Sequence, residues 1–296
     1  MDAPMRGTFD VDDCVAMLLP RRASTLRQRA AAGGAGLFVL MDPLTGDPLL
    51  RDPLPADLNA EALNAVRGEA WGRPCHSLSL PPLLEVDPAL APYLVELTGA
   101  DDPWLEITLE WALRETVRSW VAPVDGQPPH RVGGWLHSAA FGLALAQKLS
   151  GWLVLSTRTP TPARYLRVAD RRAWGLVVHV LGEGALARRL APLQCWQWID
   201  AQAACRELVA AYTEHGADEA TGPLARFSAA QWQLLARGEQ VHGFMARQQG
   251  LRLGDSNDNP VQWPPVSAAQ WHHAFEAVGS SVPIQKKNAS QEGNNA

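Results

Sequence analysis

The 296-residue chain has a formal net charge of −5, with 47% apolar and 19% charged residues. This composition predicts a folded protein with a substantial core, and the negative charge gives no general attraction to nucleic acid or anionic lipid. Four cysteines without a CxxC pair argue against a zinc module and a disulfide framework, and they favour a reducing cytoplasm. Neither a secretory signal nor a membrane-spanning helix is expected, because the most apolar uncharged stretch, residues 30–41, is too short and contains glycines.

The first hundred residues predict two strands and one helix. The apolar run at residues 37–42 indicates a buried strand, and residues 91–97 indicate a second one. Between them, Asp57 is expected to cap a helix over residues 58–67, and Gly68 is expected to end it.

A longer helix is marked by a local signal at its start. Asp102 supplies a capping carboxylate and Pro103 occupies the first helical position, so a helix to about Trp120 is predicted. Its apolar residues fall on two sides. Such a helix packs between two layers or presents one side to a partner.

Residues 133–200 alternate predicted strands and helices, which is typical of a mixed α/β sheet domain with flanking helices. The predicted strands are residues 133–138, 151–156, 164–169 and 195–200, and the predicted helices are residues 139–149, 171–181 and 184–190.

Beyond Asp200 only helices are predicted. Residues 203–214 carry apolar side chains at helical spacing, and the sequence SAAQW begins at Ser228 and again at Ser267. Each serine is followed three residues later by a glutamine, which is the capping-box pattern that opens a helix. The expected organisation is an α/β domain over residues 1–202, a smaller helical C-terminal lobe over 203–278 and a disordered tail over 279–296.

Charge is concentrated in the sequence YLRVADRRAW, residues 165–174, between a predicted strand and a predicted helix. Asp170 stands where the helix begins, so we expect it to cap that helix. Arg171 and Arg172 lie in the first turn, where the helix dipole disfavours cations. Three roles remain open for these arginines: an internal salt bridge, a contact with a partner, or catalysis.

Several short segments, taken in their order and spacing, resemble a bacterial family of effector adaptors, or chaperones, of the type VI secretion system. The resemblance covers roughly residues 36–200 and rests on LFVLMD, APYLVEL, GGWLHS, YLRVADRRAW and GEGALARRLAPLQCWQWID. Asp42 matches the first aspartate of the family pattern, Pro92, Tyr93 and Leu94 match its PYL core, and Asp170 and Arg172 match the aspartate and arginine of its DPR motif. Two features depart from the pattern: Arg171 replaces the DPR proline, and residues 144–149 lack the usual basic stretch.

The resemblance implies a cytoplasmic adaptor without enzymatic activity or a cofactor. Such a protein would hold a toxic effector and help to mount it on the VgrG spike or its PAAR tip. From the charge pattern and the short apolar runs, neither nucleic-acid binding nor membrane insertion is expected. The N-terminal lobe would contact spike or effector, and the C-terminal lobe would select the effector. The candidate partner contacts are Arg167, Arg171, Arg172, Trp232, Leu235 and Trp271.

A search for catalytic motifs finds no nucleophile elbow, zinc-protease motif, P-loop or dinucleotide fingerprint. His137 beside Ser138 is a weak nucleophile–base pair, because neighbours on a strand face opposite ways. The alternative function is a small cytoplasmic hydrolase or transferase that uses Asp170 with Arg167 or Arg172. A deep polar pocket around these side chains would favour it, whereas their burial in internal salt bridges would count against it. A third possibility is a structural subunit of the secretion machine.

Overall fold

A six-stranded antiparallel sheet forms the centre of the protein. The computed structural model describes residues 10–32, 36–50, 54–55, 58–80, 87–122, 128–155, 164–211, 224, 227–253 and 259–281. The sheet strands are β1 Gly36–Met41, β2 Cys75–Ser77, β3 Tyr93–Leu97, β4 Val132–Ser138, β7 Leu193–Ile199 and β8 Cys205–Val209, in the order β2-β3-β1-β4-β7-β8. A separate antiparallel pair is formed by β5 Val154–Leu155 and β6 Arg164–Tyr165.

Helices cover both faces of this sheet and make up the C-terminal part of the fold. They are α1 Val11–Ala32, α2 Ala60–Trp71, α3 Pro103–Val121, α4 Gly142–Ser150, α5 Arg171–Leu181, α6 Glu183–Ala187, α7 Ala229–Leu235, α8 Gly238–Leu253 and α9 Ala268–Ser281. The protein therefore has the mixed α/β architecture with a helical C-terminal part that the sequence predicts.

The central strand β1 separates two apolar layers. Because successive side chains of a strand face opposite ways, Phe38 and Leu40 pack in one cluster with α4 and α5, while Val39 and Met41 pack in another with α1 and α3. Helix α3 is in contact with α1, β4 and α8. One apolar side of α3 is buried in the core, whereas on the other side Trp104 and Trp111 are partly buried and Ile107 is 36% exposed.

The C-terminal helices pack against the sheet domain. Helix α8 contacts α3, α5 and α9, and a third apolar cluster joins Leu176 of α5 to side chains of α8 and α9. A Cβ atom at Gly250 would lie 2.2 Å from the carbonyl oxygen of Trp120. Only glycine therefore allows α8 to approach the end of α3 this closely.

The local signals at three helix starts are confirmed. The side chain of Asp102 accepts a hydrogen bond from the amide of Trp104, and Pro103 is the first residue of α3. Ser228 and Gln231 form a reciprocal capping box at α7. Ser267 and Gln270 exchange the same pair of hydrogen bonds at α9.

The helix predicted over residues 58–67 is displaced. It spans Ala60–Trp71, because Asn59 accepts the capping hydrogen bond from the amide of Ala62 and Gly72 ends the helix in a left-handed conformation, with φ of 59°. Gly68 lies inside the helix, and Asp57 is outside the described residues.

Two predicted strands are much shorter than expected. Within residues 151–155 and 164–169, which the structure describes, the paired residues are Val154–Leu155 and Arg164–Tyr165, although Trp152, Leu153 and Val168 are buried. An apolar run indicates burial in the core, and a buried loop has the same pattern as a buried strand. Likewise, the helix predicted from residue 139 begins at Gly142.

The helix predicted over residues 203–214 is wrong in its described part. Cys205–Val209 is the edge strand β8, paired with β7 from Cys195↔Val209 to Ile199↔Cys205. The sheet therefore continues past the expected domain boundary at residue 202. Helix α9 likewise extends to Ser281, beyond the expected start of the tail at residue 279, and residues 282–296 are outside the described part.

Candidate functional site

The charged segment 165–174 leads from β6 into α5. Asp170 caps α5, as predicted: its Oδ1 accepts a hydrogen bond from the amide of Arg172 at 3.0 Å. Close packing places this cap against β4, because a Cβ atom at Gly133 would lie 2.5 Å from the carbonyl oxygen of Ala169. The start of α5 is thus fixed against the central sheet.

Two carboxylates at this point are joined by one arginine. Arg167 donates from Nε and Nη2 to Oδ2 of Asp42, at 3.1 and 2.8 Å, and its Nη1 lies 3.7 Å from Oδ2 of Asp170. Arg172 donates from Nε and Nη2 to the two carboxylate oxygens of Asp170, at 3.1 and 2.7 Å. We call these four residues, Asp42, Arg167, Asp170 and Arg172, the cap network. It joins the end of β1 to the start of α5.

Arg171 forms a second and more deeply buried ion pair. It is 3% exposed, and its Nη1 donates to Oε2 of Glu115 at 2.9 Å. Its Nη2 donates to the carbonyl oxygen of Ala112 and to Oγ1 of Thr116, at 2.8 and 2.9 Å. Glu115 also accepts from Nε of Arg131 at 3.0 Å. The guanidinium of Arg171 therefore ties α5 to α3 within the core.

Electrostatics keep Asp170 ionised. Burial alone would raise the pKa of Asp170, but the charge of Arg172 and its hydrogen bonds outweigh burial and hold the pKa below the ordinary value of 3.8. For Asp42 the balance is reversed, because burial raises the pKa more than Arg167 lowers it. A carboxylate that is fully hydrogen-bonded and held ionised, as Asp170 is, makes a weak general base.

Next to these ion pairs lies a cavity of about 330 Å³ between the sheet domain and the C-terminal helices. Its inner wall includes Arg171, Arg172, His130, Trp198 and His242. Exposed residues stand at its mouth, among them Glu183 of α6 and Glu239 of α8. A cavity of this size is in the range that small ligands occupy.

Two imidazoles in the cavity wall have polar atoms without partners. His130 is 4% exposed, and neither of its ring nitrogens has a hydrogen-bond partner among the described residues. His242 is hydrogen-bonded through Nε2 to the carbonyl oxygen of Arg172 at 2.9 Å, while its Nδ1 is buried without a partner. Because a carbonyl oxygen only accepts, Nε2 must carry the proton and Nδ1 must present a lone pair.

Both imidazoles are neutral near pH 7. Burial, reinforced by the charges of Arg171 and Arg172, holds the pKa of His130 well below 6.5. Burial also lowers the pKa of His242 to about 4. Each ring therefore acts as a hydrogen-bonding group without adding charge to the cavity.

The structure brings three of the six predicted partner residues to this cavity. Arg171, Arg172 and Trp271 line it. Trp271 is 8% exposed, and its ring stacks on His179 with centroids 5.0 Å apart.

The other three predicted partner residues lie elsewhere. Arg167 belongs to the cap network, and Trp232 and Leu235 of α7 pack against the core, with the ring of Trp232 5.6 Å from that of Phe227. All twelve tryptophans of the chain are at least half-buried. Most of the tryptophans therefore contribute to packing inside the protein.

Three cysteines and the His137–Ser138 pair are poorly placed for nucleophilic catalysis. Burial raises the pKa of Cys75, Cys195 and Cys205 to about 12, so these thiols stay protonated. His137 contacts Oε1 of Gln197 at 3.2 Å rather than Ser138. In the part of the chain that the structure describes, no group of three or more His, Cys, Asp or Glu side chains is arranged to hold a metal ion.

Sequence reasoning missed His130 and His242. The two residues are far apart in the sequence, one in the loop before β4 and the other on α8, and neither belongs to a motif. Only the packing of α8 against α3 and α5 brings them to one cavity. No sequence signal identifies this pairing.

Comparisons of the chain with protein-family models, curated proteins and solved structures found no match. Among the helices described, none combines the length and apolar character needed to cross a membrane.

Proposed function

We propose that this protein is a cytoplasmic, non-enzymatic adaptor that binds a type VI secretion effector and helps to load it onto the VgrG spike or its PAAR tip. One observation carries the proposal. Asp42 and Asp170, which match the two aspartates of the adaptor pattern, are far apart in sequence but both contact Arg167. Two separate segments of the resemblance therefore meet in one network.

The cap network supports a structural use of these charges. Asp170 accepts three hydrogen bonds from Arg172, and both oxygens of Asp42 are also occupied. Side chains held in this way fix the end of β1 to the start of α5. An adaptor with this network would bind its partners through other surfaces of the protein.

The C-terminal helices are the proposed effector contact. Leu251 of α8 is 64% exposed, and Arg247 and Gln248 are exposed beside it on the same helix. Among the described residues of these helices, Leu251 is the most exposed large apolar side chain, so it is the first candidate for an anchor residue. Phe141, which is 88% exposed before α4, offers a comparable apolar side chain outside the C-terminal helices.

The alternative, a small hydrolase or transferase that uses Asp170 with Arg167 or Arg172, is favoured by one observation. The cavity reaches Arg172. The hydrogen bonds that occupy Asp170 weigh against it, because they leave this carboxylate poorly suited to accept a proton. We therefore place the adaptor first.

The test is affinity capture of the tagged full-length protein from its native cells while the secretion genes are expressed, followed by mass spectrometry. We expect one protein with a toxin domain to be recovered, together with a VgrG or PAAR protein. Recovery of the tagged protein alone, after gentle lysis and chemical cross-linking, would overturn the proposal.

Two matched variants locate the contact. Leu251→Asp is expected to lower effector recovery at least about tenfold, because an exposed anchor of an interface is replaced by a charge. Phe141→Asp makes the same change outside the C-terminal helices and is expected to retain the effector. Equal losses in both variants, or loss only with Phe141→Asp, would contradict the assignment to these helices.

A further inference from the structure

Two helical glycines border the cavity beside α5, and packing requires neither of them. A Cβ atom at Gly175 would lie 3.6 Å from Nε1 of Trp198 and 3.9 Å from Cζ2 of Trp271. One at Gly243 would lie 3.7 Å from Nη1 of Arg247. These are ordinary van der Waals distances, so alanine would fit at both positions. Glycine inside a helix is less stabilising than alanine, and at Gly175 it keeps open a gap between two indole rings.

The indole of Trp198 presents a free donor to this gap. The residue is 2% exposed and lines the cavity. Nε1 of Trp120 donates to the carbonyl oxygen of Ala201, whereas Nε1 of Trp198 has no hydrogen-bond partner among the described residues. The unpaired ring nitrogens of His130 and His242 are closed off by packing, but Nε1 of Trp198 stands at the gap itself. Because buried donors nearly always have an acceptor, this N–H indicates a ligand that supplies one.

The other polar side chains of the inner wall are already hydrogen-bonded within the protein. They are Thr116, Ser119, Asp200, Arg206 and Ser267. Asp200, for example, accepts hydrogen bonds from three backbone amides through its two oxygens. The ligand therefore needs to match the indole N–H and not these groups.

The charges of the wall favour an uncharged ligand. Each arginine of the wall has a carboxylate partner, and the pairs are Arg171 with Glu115, Arg172 with Asp170, and Arg206 with Glu183. An anion in the gap would lose its hydration without meeting a free cation. The carboxylate of Asp200 is held by backbone amides, and Glu239 stands at the exposed mouth, so the gap offers no free carboxylate to a cation either.

The orientation of the two indoles favours an aromatic ligand. The face of Trp271 stacks on His179, with centroids 5.0 Å apart, so the edge of Trp271 borders the gap together with the Nε1 edge of Trp198. The edge of an aromatic ring is positive and its face is negative, so an edge prefers to meet the face of another ring. An aromatic ring that carries an acceptor matches both the indole edges and the free N–H.

We propose that the gap at Gly175 binds an uncharged aromatic molecule with one hydrogen-bond acceptor, such as an aryl carbonyl, which accepts from Nε1 of Trp198. The site goes beyond the adaptor function, and binding at this site does not require an effector.

The proposal is tested on the purified full-length protein at pH 7 with acetophenone, α-methylstyrene and benzoate. The second probe replaces the carbonyl oxygen of acetophenone with a CH₂ group, and the third adds a negative charge. Binding is followed by NMR titration of the indole N–H signals after ¹⁵N labelling of tryptophan, and the Trp198 signal is assigned by its loss in Trp198→Phe. We expect acetophenone to move this signal downfield saturably, because its oxygen accepts from the N–H, whereas α-methylstyrene should give no downfield shift. Benzoate should bind at least about tenfold more weakly than acetophenone.

A variant at Gly175 then locates the site. The methyl group of Gly175→Ala would contact both indoles and occupy the gap. Acetophenone affinity should therefore fall at least about tenfold, while thermal stability is unchanged or higher. Gly184→Ala on α6 is the matched control, because Gly184 is outside the cavity wall and its Cβ atom would meet only the side chain of Arg188, 4.0 Å away. It should bind acetophenone as the original chain does.

Several results would overturn the proposal. They are the absence of saturable acetophenone binding, a Trp198 signal that acetophenone does not move downfield, tighter binding of benzoate, or unchanged acetophenone affinity in Gly175→Ala. The affinity of Gly175→Ala does not depend on assigning the signals, so it decides the question even if Trp198→Phe does not fold.

Discussion

Arg172 belongs both to the start of α5 and to the wall of the cavity beside it. The two regions differ in whether their buried polar groups have hydrogen-bond partners. In the cap network every oxygen of Asp42 and Asp170 accepts a hydrogen bond. In the cavity wall, His130 has no partner in the described structure. Folding alone favours the first arrangement and disfavours the second. The difference predicts that removing charge from the network destabilises the fold, whereas removing the His130 imidazole does not.

The largest effect is expected at the buried ion pair. Arg171→Met leaves the carboxylate of Glu115 in the core without its closest partner on α5, so we expect a loss of about 3 kcal/mol in the free energy of unfolding. Urea denaturation measures it. The double variant Arg171→Met with Glu115→Gln should recover part of the loss, because no buried charge is then uncompensated. A loss below about 1 kcal/mol would show that this pair does not hold α5 to α3.

The imidazoles predict a pH dependence of stability. The folded pKa of His130 lies well below 6.5 and that of His242 is about 4, so the unfolded chain takes up protons that the folded chain resists. Stability is therefore full above pH 6.5 and falls as the pH drops towards 4, by on the order of 3 kcal/mol from His242 and by a further amount from His130.

His130→Phe isolates this effect and sharpens the contrast with the network. The variant should be about 1 kcal/mol more stable at pH 7, because an unpaired buried polar group is removed. Its stability should also decrease less between pH 6.5 and 4. Thermal unfolding at several pH values measures both. Lower stability at pH 7 would mean that His130 contributes to folding, against the comparison drawn above.

A smaller loss is expected at the cap. Asp170→Ala removes the capping oxygen and the partner of Arg172, and it should cost about 1–2 kcal/mol. Asp170→Asn keeps a capping side chain and should cost less. Because the folded pKa of Asp170 is lowered, its contribution is full above pH 3.8 and is lost as the pH falls below that value. Stability of Asp170→Ala equal to that of the original chain would contradict the structural role.

The smallest effect is expected at an exposed pair. Arg27 on α1 and Glu106 on α3 form a salt bridge with side chains 49% and 42% exposed. Arg27→Ala should change the free energy of unfolding by no more than about 0.5 kcal/mol. A loss near that of Arg171→Met would mean that burial is not what distinguishes these pairs.

Features that depend on neighbouring residues could be predicted from the sequence. The caps at Asp102, Asp170, Ser228 and Ser267 were all located, because a helix start is decided within a few residues. The strands at β1, β3, β4 and β7 were also predicted, since each is a short buried apolar run, but the same sign predicted too much strand in residues 151–155 and 164–169.

Features that depend on contacts between distant segments could not be predicted from the sequence. Cys205–Val209 has apolar residues at a spacing that also suits a helix, and only pairing with β7 makes it a strand. The ion pairs of Arg167 with Asp42 and of Arg171 with Glu115 join distant segments. The carboxylate partner of each arginine could therefore not be predicted from the sequence. The cavity was missed entirely, because His130 and His242 meet only through the packing of α8.

The most direct test of the account is partner capture with the original chain and with Asp170→Asn, compared at equal amounts of folded protein. Asp170→Asn keeps the cap but removes the charge that a catalytic or partner-binding role would need. We expect Asp170→Asn to retain the effector and the spike protein. Loss of the partner at unchanged thermal stability would contradict it and would assign Asp170 a direct function.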